Sequence, residues 1–310
     1  MQTIESAERA RAPGGQESQD PVVHKLSEVL GGALRAFFEA EGDPHGSARE
    51  GSGAALALLG PPGANGSLFP LVHYHGEKQF FPAGLVTLFY LAGAYLEMQH
   101  GGLSGDGNLE RDILRMLRMG DTDAANLIFD RITGTLSGPE LPEANLEMFA
   151  RRRGRLDALL RRIGIDGTRC EQKIWDRPPY GRDAQFLGLD HSRQNRITAI
   201  AAADLLAKIV LGRVGGAEAS RQILELLSID PSQPGADPRA RPRLSAGLPP
   251  GSRAWGRCAA GSRVLHEAVV VELPGGRRYV LCFLSQGFPP SALEALGRSV
   301  AEGIAGIPSP

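Results

Sequence analysis

The chain has 310 residues, of which 42% are hydrophobic and 22% are charged, and its formal net charge is −1. This is the composition of a soluble globular protein with enough chain to bury a large core. Nucleic acid is disfavoured as the main partner, because the chain has no excess of cations to neutralise phosphates.

The N-terminal residues 1–20 are polar and rich in small residues, which predicts a disordered tail. They lack a basic segment followed by an apolar one, and the chain has no run of 18 apolar residues. We therefore expect a cytoplasmic protein without a membrane partner; an export signal is expected only if the start site is misassigned. Three cysteines lack metal-site spacing and are too few for a disulfide framework: Cys170, Cys258 and Cys282.

The first structural elements follow directly along the chain. The segment VVHKLSEVLGGALRAFFEAE has apolar residues at helical spacing and predicts a long helix. The segment GAALALLGPPGANGSLFPLVHYHGE predicts two strands joined by a Pro/Gly/Asn turn.

From Gly84 to about Ser228 the pattern is mostly helical. The segment NLERDILRMLRM predicts one helix, and TDAANLIFDRITG predicts a buried helix that ends at Gly134. The segment PEANLEMFARRRGRLDALLRRIG predicts a longer helical segment, in which Gly154 weakens the helical pattern. An irregular stretch from Asp166 follows, rich in aromatic and charged residues, and then two more helices.

The last part of the chain begins with a proline-rich loop after Ser228. Three strand patterns follow, SRAWGRCA, VLHEAVVVELP and GRRYVLCFLS, and the Gly-Gly turn after Pro274 predicts a hairpin between the last two. A final helix is predicted for PSALEALGRSVAEGIAG. The chain shows no internal repeat.

Strand patterns at both chain ends flank this helical middle. The simplest packing is an α+β fold, in which one antiparallel sheet is built from both ends, is covered by the terminal helices and carries an inserted all-helical lobe. We expect the sheet lobe to comprise residues 21–83 and 245–310, and the helical lobe residues 84–244. A ligand would bind in the cleft between them.

Four segments in this order resemble the class A β-lactamases, a family of penicillin-recognising serine hydrolases: HYHGEKQFFPAGLVTLFYL, MGDTDAANLIFDRITGTLSGPELP, CEQKIWDRPPYGRDAQFLG with NRITAIAAADLLAKIV, and AWGRCAAGSRVLHEAVVVELPGGRRYVL. The resemblance covers roughly residues 22–305 and implies the α/β-α fold of that family. It also implies a site made of an S-x-x-K motif at a helix start, an S-D-N segment on the helical lobe and a K-T-G segment on a strand.

This chain departs from those motifs at most chemical positions. Gly84 corresponds to the nucleophilic serine, and Thr87 to the lysine that helps to activate it. The S-D-N segment corresponds to Gly120, Asp121 and Thr122, which keep only the acid. A hydroxyl is a weak nucleophile without a base in reach, so these differences predict that acyl-serine chemistry is absent.

The strand motif and the loop acid are also altered. The K-T-G segment corresponds to Arg257, Cys258 and Ala259, which keep only the positive charge. Glu171 lies where the family has the acid that activates the deacylating water, although CEQKIW differs from the usual E-x-x-L-N pattern. Glu171 and Asp121 are therefore the candidate catalytic residues, and the other cleft positions are candidate substrate-binding residues.

Each candidate has a second interpretation. Gly84 either provides a helix N-terminus for an anion or carbonyl oxygen, or is a small residue at a tight turn. Arg257 either binds a ligand carboxylate or pairs with Asp121 or Glu171. Asp121 is also a helix-cap candidate, and Thr87 a hydrogen-bonding or packing residue. Strand alternation predicts that Cys258 faces the core if Arg257 faces the cleft, although a neighbouring arginine can activate a thiol.

The histidines give no metal site. His73 and His75 would share one strand face but have no third ligand nearby, so we expect exposed strand histidines. His266 lies in a strand pattern and is expected to be structural. No metal and no cofactor are predicted.

Three functions are compatible with the sequence. The first is a cleft that binds or transforms a small amide- or carboxylate-bearing metabolite, in specialised metabolism, by non-covalent acid–base and electrostatic catalysis. The second is a pseudoenzyme that acts as a ligand sensor or interaction module. The third is a residual hydrolase that uses another nucleophile, either Cys258 or an activated water.

Overall fold

The computed structural model describes residues 20–43, 45–60, 69–229, 242–261, 263–288 and 290–307. The predicted N-terminal tail, the predicted Pro/Gly/Asn turn and much of the proline-rich loop lie outside these residues, apart from the flanking positions. Among the described residues, no helix is both long and apolar enough to cross a membrane.

A five-stranded antiparallel sheet forms the centre of the fold. Its strands are β1 (Ser52–Leu59), β2 (Leu71–Tyr74), β3 (Arg253–Ala260), β4 (Leu265–Glu272) and β5 (Arg278–Ser285). Their order is β2-β1-β5-β4-β3, so that β1 pairs with β5 from the other end of the chain. The predicted Gly-Gly turn joins β4 to β5, and Gly276 adopts the positive φ of +77° that such a turn requires.

One sheet face is covered by the terminal helices α1 (Pro21–Ala40) and α11 (Leu293–Ala305). Helix α1 starts where the sequence dictates, because Asp20 accepts a hydrogen bond from the Val22 N–H at 2.8 Å and Pro21 occupies the first turn. The apolar stripes of both helices pack on alternate strand residues in one core, which includes Leu30, Phe37, Val269, Leu281, Phe283, Leu296 and Val300. Neighbouring strand residues point to the other face and are also apolar, which is why the strands appear as continuous apolar runs.

The other face is covered by the helical layer. After the short helix α2 (Ser47–Glu50), its helices are α3 (Val86–Gln99), α4 (Gly107–Leu114), α5 (Thr122–Thr133), α6 (Glu143–Arg153), α7 (Arg155–Arg162), α8 (Gly181–Leu187), α9 (Ala199–Val210) and α10 (Ala217–Leu226). Helix α3 is apolar on nearly all sides and is almost completely buried at the centre of this layer, as expected for a core helix. The predicted sheet from both chain ends with an inserted helical lobe is confirmed.

The helical layer differs from the predicted elements in three places. The predicted helix through Met119 continues from α4 as a π-turn, Arg115–Met119, and ends at Gly120 with φ +64°. The long helical segment around Gly154 is two helices, because the chain turns at that glycine between α6 and α7. The irregular stretch contains the short helix α8, which the sequence pattern did not indicate.

Asp183 and Glu267 are fully buried acids on the two sides of the sheet. Arg153 and Asp183 form an ion pair with neither side chain exposed, and the Arg153 guanidinium stacks on the rings of Phe129 and Phe149. On the opposite sheet face Glu267 is fully buried and accepts N–H groups from the turn before β3. Burial raises the pKa of Glu267 to about 7 despite these hydrogen bonds.

Candidate functional site

The helix α3 is preceded by a tight turn, Pro82–Leu85, which we call the Gly84 turn. Residues Ala83–Leu85 form one 3₁₀ turn, and Ala83 has a φ of +46°, which is uncommon for a residue with a side chain. Gly84 itself does not have a positive φ. Backbone strain of this kind is concentrated at functional positions, so the turn is a candidate part of a site.

His266 on β4 fixes the Gly84 turn to the sheet. The His266 ring is buried between two backbone groups: Nδ1 lies 3.2 Å from the Ser285 nitrogen, and Nε2 lies 2.8 Å from the Phe81 carbonyl oxygen. Because a backbone N–H can only donate, Nδ1 accepts and Nε2 carries the proton that it donates to Phe81. Burial lowers the pKa of His266 to about 4, so the ring stays neutral in this role. The predicted structural role of His266 agrees with these contacts.

Gly84 faces β3 across a short gap. A Cβ atom placed on Gly84 would lie 3.6 Å from the Cβ of Ala259, which is ordinary van der Waals contact. Position 84 therefore has space for a side chain directly beside β3. The Thr87 hydroxyl is buried and donates to the Gly84 carbonyl at 2.8 Å, so it is engaged with the turn that precedes it.

Strand β3 divides its candidates between two faces. Trp255 and Ala259 pack into the core beneath the helical layer, whereas Cys258 packs into the core beneath the terminal helices. Arg257 lies on the same face as Ala259 by strand alternation. Cys258 is thus separated from the cleft side by the sheet itself and does not lie among the cleft residues as predicted.

Arg257 joins the sheet to the helical layer. Its Nη1 donates to the Leu117 carbonyl at 2.6 Å, while its Nε is buried without a hydrogen-bond partner. Burial, with a further contribution from Arg118, lowers the pKa of Arg257 to about 10. Within the described ranges, no acidic side chain forms an ion pair with Arg257. The alternative in which Arg257 pairs with Asp121 or Glu171 is therefore wrong.

Asp121 caps helix α5 beside this contact. One carboxylate oxygen accepts the Ala124 N–H at 3.0 Å, and the other accepts Arg115 Nη2 at 2.5 Å. The hydrogen bond from Ala124 contributes most to holding the pKa of Asp121 below its usual range, and Arg115 adds to it. Gly120, one residue earlier, provides the left-handed turn that ends the preceding π-turn.

The loop beneath α5 is fastened by two neutral side chains and by the buried Lys173–Asp130 ion pair. The Asn126 side chain accepts the Ile174 N–H at 2.8 Å and donates to the Ile174 carbonyl at 2.9 Å. The Asn195 side chain accepts the Gln172 N–H and donates to the Gln172 carbonyl, both at 2.8 Å. This attachment presents Asp176 to the start of α5, where its Oδ2 accepts the Thr122 hydroxyl at 2.9 Å.

A family model described as the beta-lactamase enzyme family matches residues 115–304. The chain belongs to this family. No curated protein matches it in sequence. The match runs from the π-turn to α11, and so includes Gly120–Thr122, Glu171 and Arg257 but not the Gly84 turn.

Solved structures of this family have the same fold. A beta-lactamase from Sphaerobacter thermophilus is similar with a TM-score of 0.60 at 15% identity, over 92% of this chain and 99% of that one. PBP-A is similar with a TM-score of 0.59 at 15% identity, over 94% of this chain and 99% of that one. The class A beta-lactamase of the last common ancestor of Gram-negative bacteria is similar with a TM-score of 0.55 at 19% identity, over 92% of this chain and 98% of that one. At these identities the similarity shows the beta-lactamase fold alone.

In this beta-lactamase-family chain, the acid of the loop that contacts the start of α5 was not among the candidates. Asp176 contacts Thr122, whereas Glu171 lies 3.6 Å from Arg193 and close to Gly154 at the α6–α7 junction. Burial, together with Asp157, raises the pKa of Glu171. Asp176 lies two residues after Ile174, whose backbone is bound by Asn126. This spacing could have identified Asp176 only if the Asn126–Ile174 bond were known, and that bond is visible only in three dimensions.

No group of three metal-ligating side chains occurs in the part of the chain that the structure describes. His73 is buried rather than exposed as predicted, and its ring accepts the Gly76 N–H. A shallow cavity of about 430 Å³ is lined by His75, Glu50, Glu77 and Lys78, at the end of β2 and away from the candidate cleft.

Proposed function

We propose that this chain binds a small carboxylate- or amide-bearing metabolite in the cleft between β3 and α5, without acyl-serine chemistry. The observation that carries the proposal is the Arg257 guanidinium, a largely buried cation whose charge no described acidic side chain neutralises. A buried charge without an opposite charge is costly, and an anionic ligand would remove that cost.

The absence of a nucleophile supports binding without a covalent intermediate. Gly84 stands at the start of α3, facing β3, where the family resemblance places a serine, and the Thr87 hydroxyl already donates to the Gly84 carbonyl. Neither residue supplies a nucleophile with a base in hydrogen-bond reach. Cys258 lies on the other face of the sheet, so the residual-hydrolase alternative lacks its thiol.

Ligand binding is supported better than acid–base turnover. Asp121 uses both carboxylate oxygens to cap α5 and to bind Arg115, and its lowered pKa keeps it ionised near neutral pH. Glu171 has a raised pKa, and this favours acid–base chemistry as the second candidate function. However, Glu171 contacts the α6–α7 junction at Gly154 and not the start of α5 or β3. A non-catalytic ligand-binding protein accounts for these contacts most simply.

The first experiment measures covalent modification. The purified protein is incubated with penicillin G, and its intact mass is recorded over time. We expect no adduct and no hydrolysis of nitrocefin above the buffer rate. An adduct of one penicillin per chain would overturn the proposal.

The second experiment measures binding to two probes that carry both an amide and a carboxylate, penicillin G and N-acetylalanine, by calorimetry. Arg257→Gln should weaken binding about 10- to 100-fold, because it removes a charge-assisted hydrogen bond. The matched control is Arg253→Gln on the same strand, whose guanidinium is exposed and paired with Glu272, and it should leave binding unchanged. Absence of saturable binding of both probes, or equal effects of the two variants, contradicts the proposal.

The third experiment restores the missing groups. The double variant Gly84→Ser with Thr87→Lys places a hydroxyl and an amine one helical turn apart. We expect penicillin G to acylate this variant and not its Gly84→Ala counterpart. If the double variant folds and remains unmodified, position 84 does not correspond to the nucleophile.

A further inference from the structure

The Leu117 carbonyl lies in the last turn before the helix ends at Gly120, where carbonyl groups have no partner within the helix. The Asp121 N–H, which follows this end, bonds the Arg115 oxygen at 3.3 Å and not the Leu117 oxygen. The Leu117 carbonyl is therefore available to a donor from outside the helix. Arg257 on β3 is that donor.

This bond links two parts of the fold. Arg257 belongs to the edge strand of the sheet, and Leu117 to the helical layer, so the bond spans the cleft side of β3. Arg118 makes a second and longer link, from its Nη1 to the Ser228 carbonyl at 3.3 Å. A neutral carbonyl is a weaker partner for a guanidinium than a carboxylate, which can take two N–H groups at once.

We propose that the Arg257–Leu117 bond is a latch, in which the carbonyl oxygen occupies the place of a ligand's anionic oxygen until the ligand displaces it. The inference rests on the proposed function, since it uses the same ligand and the same arginine. Binding then releases the π-turn from β3, and the cleft opens at residues 115–121 as it fills.

The π-turn has the properties that such a release needs. It ends at Gly120, whose φ of +64° is a glycine-type conformation and whose Cα has open space beside it. Asp121 caps α5 by accepting the Ala124 N–H, a bond within α5, so the start of α5 keeps its own cap when the latch opens. The Nε of Arg257 is buried without a hydrogen-bond partner, so a carboxylate that displaces the Leu117 carbonyl has a second N–H group to bind.

Hydrogen exchange followed by mass spectrometry tests the latch on the full chain. The rate of peptides covering residues 115–121 is measured for the free protein, with saturating N-acetylalanine, and for Arg257→Gln and Arg253→Gln. We expect N-acetylalanine to raise exchange in the free protein about tenfold or more, the effect of losing a hydrogen bond to a charged group. Arg257→Gln should raise it by a similar factor without ligand and should abolish the ligand effect, whereas Arg253→Gln should match the unaltered protein.

The outcomes separate the latch from the proposed function. Binding of N-acetylalanine through Arg257 with unchanged or slower exchange at 115–121 overturns the latch and leaves the proposed function standing. Absence of binding of both N-acetylalanine and penicillin G overturns both. If Arg257→Gln fails to fold, the unaltered protein still decides the question: unchanged or slower exchange at residues 115–121 with N-acetylalanine bound overturns the latch.

Discussion

The substitution Gly84→Ala tests whether the start of α3 is a vacant position or a sterically required glycine. The added Cβ would lie 3.6 Å from the Ala259 Cβ and meets no closer atom, and Gly84 does not have a positive φ. The native conformation is therefore open to a side chain. Alanine reduces the conformational freedom of the unfolded chain, so we expect a gain of about 0.4–1 kcal/mol in the free energy of unfolding.

Thermal and urea unfolding measure this change, with a rise of about 1–3 °C expected in Tm for a chain of this size. Gly256→Ala on β3 is the matched control, because its Cβ would lie 2.1 Å from the Ala268 carbonyl oxygen, and a backbone atom cannot move aside easily. That variant should lose about 1–3 kcal/mol or more. A loss of the same size in Gly84→Ala would refute the interpretation that a side chain fits beside β3.

Three further predictions concern buried polar groups. Asp183→Asn leaves the fully buried Arg153 charge unpaired and should lower the free energy of unfolding, measured with urea, by about 3–5 kcal/mol. Glu147→Gln, which breaks an exposed pair, should change it by less than about 0.5 kcal/mol. Glu267 has a folded pKa of about 7, above its unfolded value of 4.5, so its contribution to stability is complete below about pH 4.5 and is lost as the pH rises to about 7. Glu267→Gln should therefore gain about 3 kcal/mol relative to the unaltered protein between about pH 5 and about pH 8, and a constant difference between the two proteins would contradict the buried charge. His266→Phe leaves the Phe81 carbonyl and the Ser285 N–H unpaired. It should lower the free energy of unfolding by about 2 kcal/mol or more and speed hydrogen exchange in the Gly84 turn. Unchanged exchange there would mean that the histidine does not hold the turn.

Much of the fold follows from the sequence because its signals are local. The apolar spacing of α1, the Gly-Gly turn at Gly276 and the cap Asp121 each specify an element within a few residues. The closure of the sheet by β1 and β5 was predictable from strand patterns at both chain ends. The π-turn and the division at Gly154 were not, because they depend on how α4 to α7 pack together rather than on apolar spacing.

The candidate site was less predictable than the fold. Alternation on β3 correctly assigned Cys258 to the face opposite Arg257, because a strand has a fixed period. Asp176 was missed because its position depends on the bond between Asn126 and Ile174, which are 48 residues apart in the chain. The Leu117 partner of Arg257, 140 residues away, was equally invisible to local patterns.

The two asparagine clamps give the loop beneath α5 two fastening points without ionisable groups, beside the buried Lys173–Asp130 ion pair. Asn126 and Asn195 each bind one N–H and one carbonyl of the loop backbone. Acid, alkali or salt therefore acts on neither fastening point. An engineer can exchange Asp176 for a neutral or basic residue and alter what the cleft attracts, while the loop that carries position 176 remains anchored.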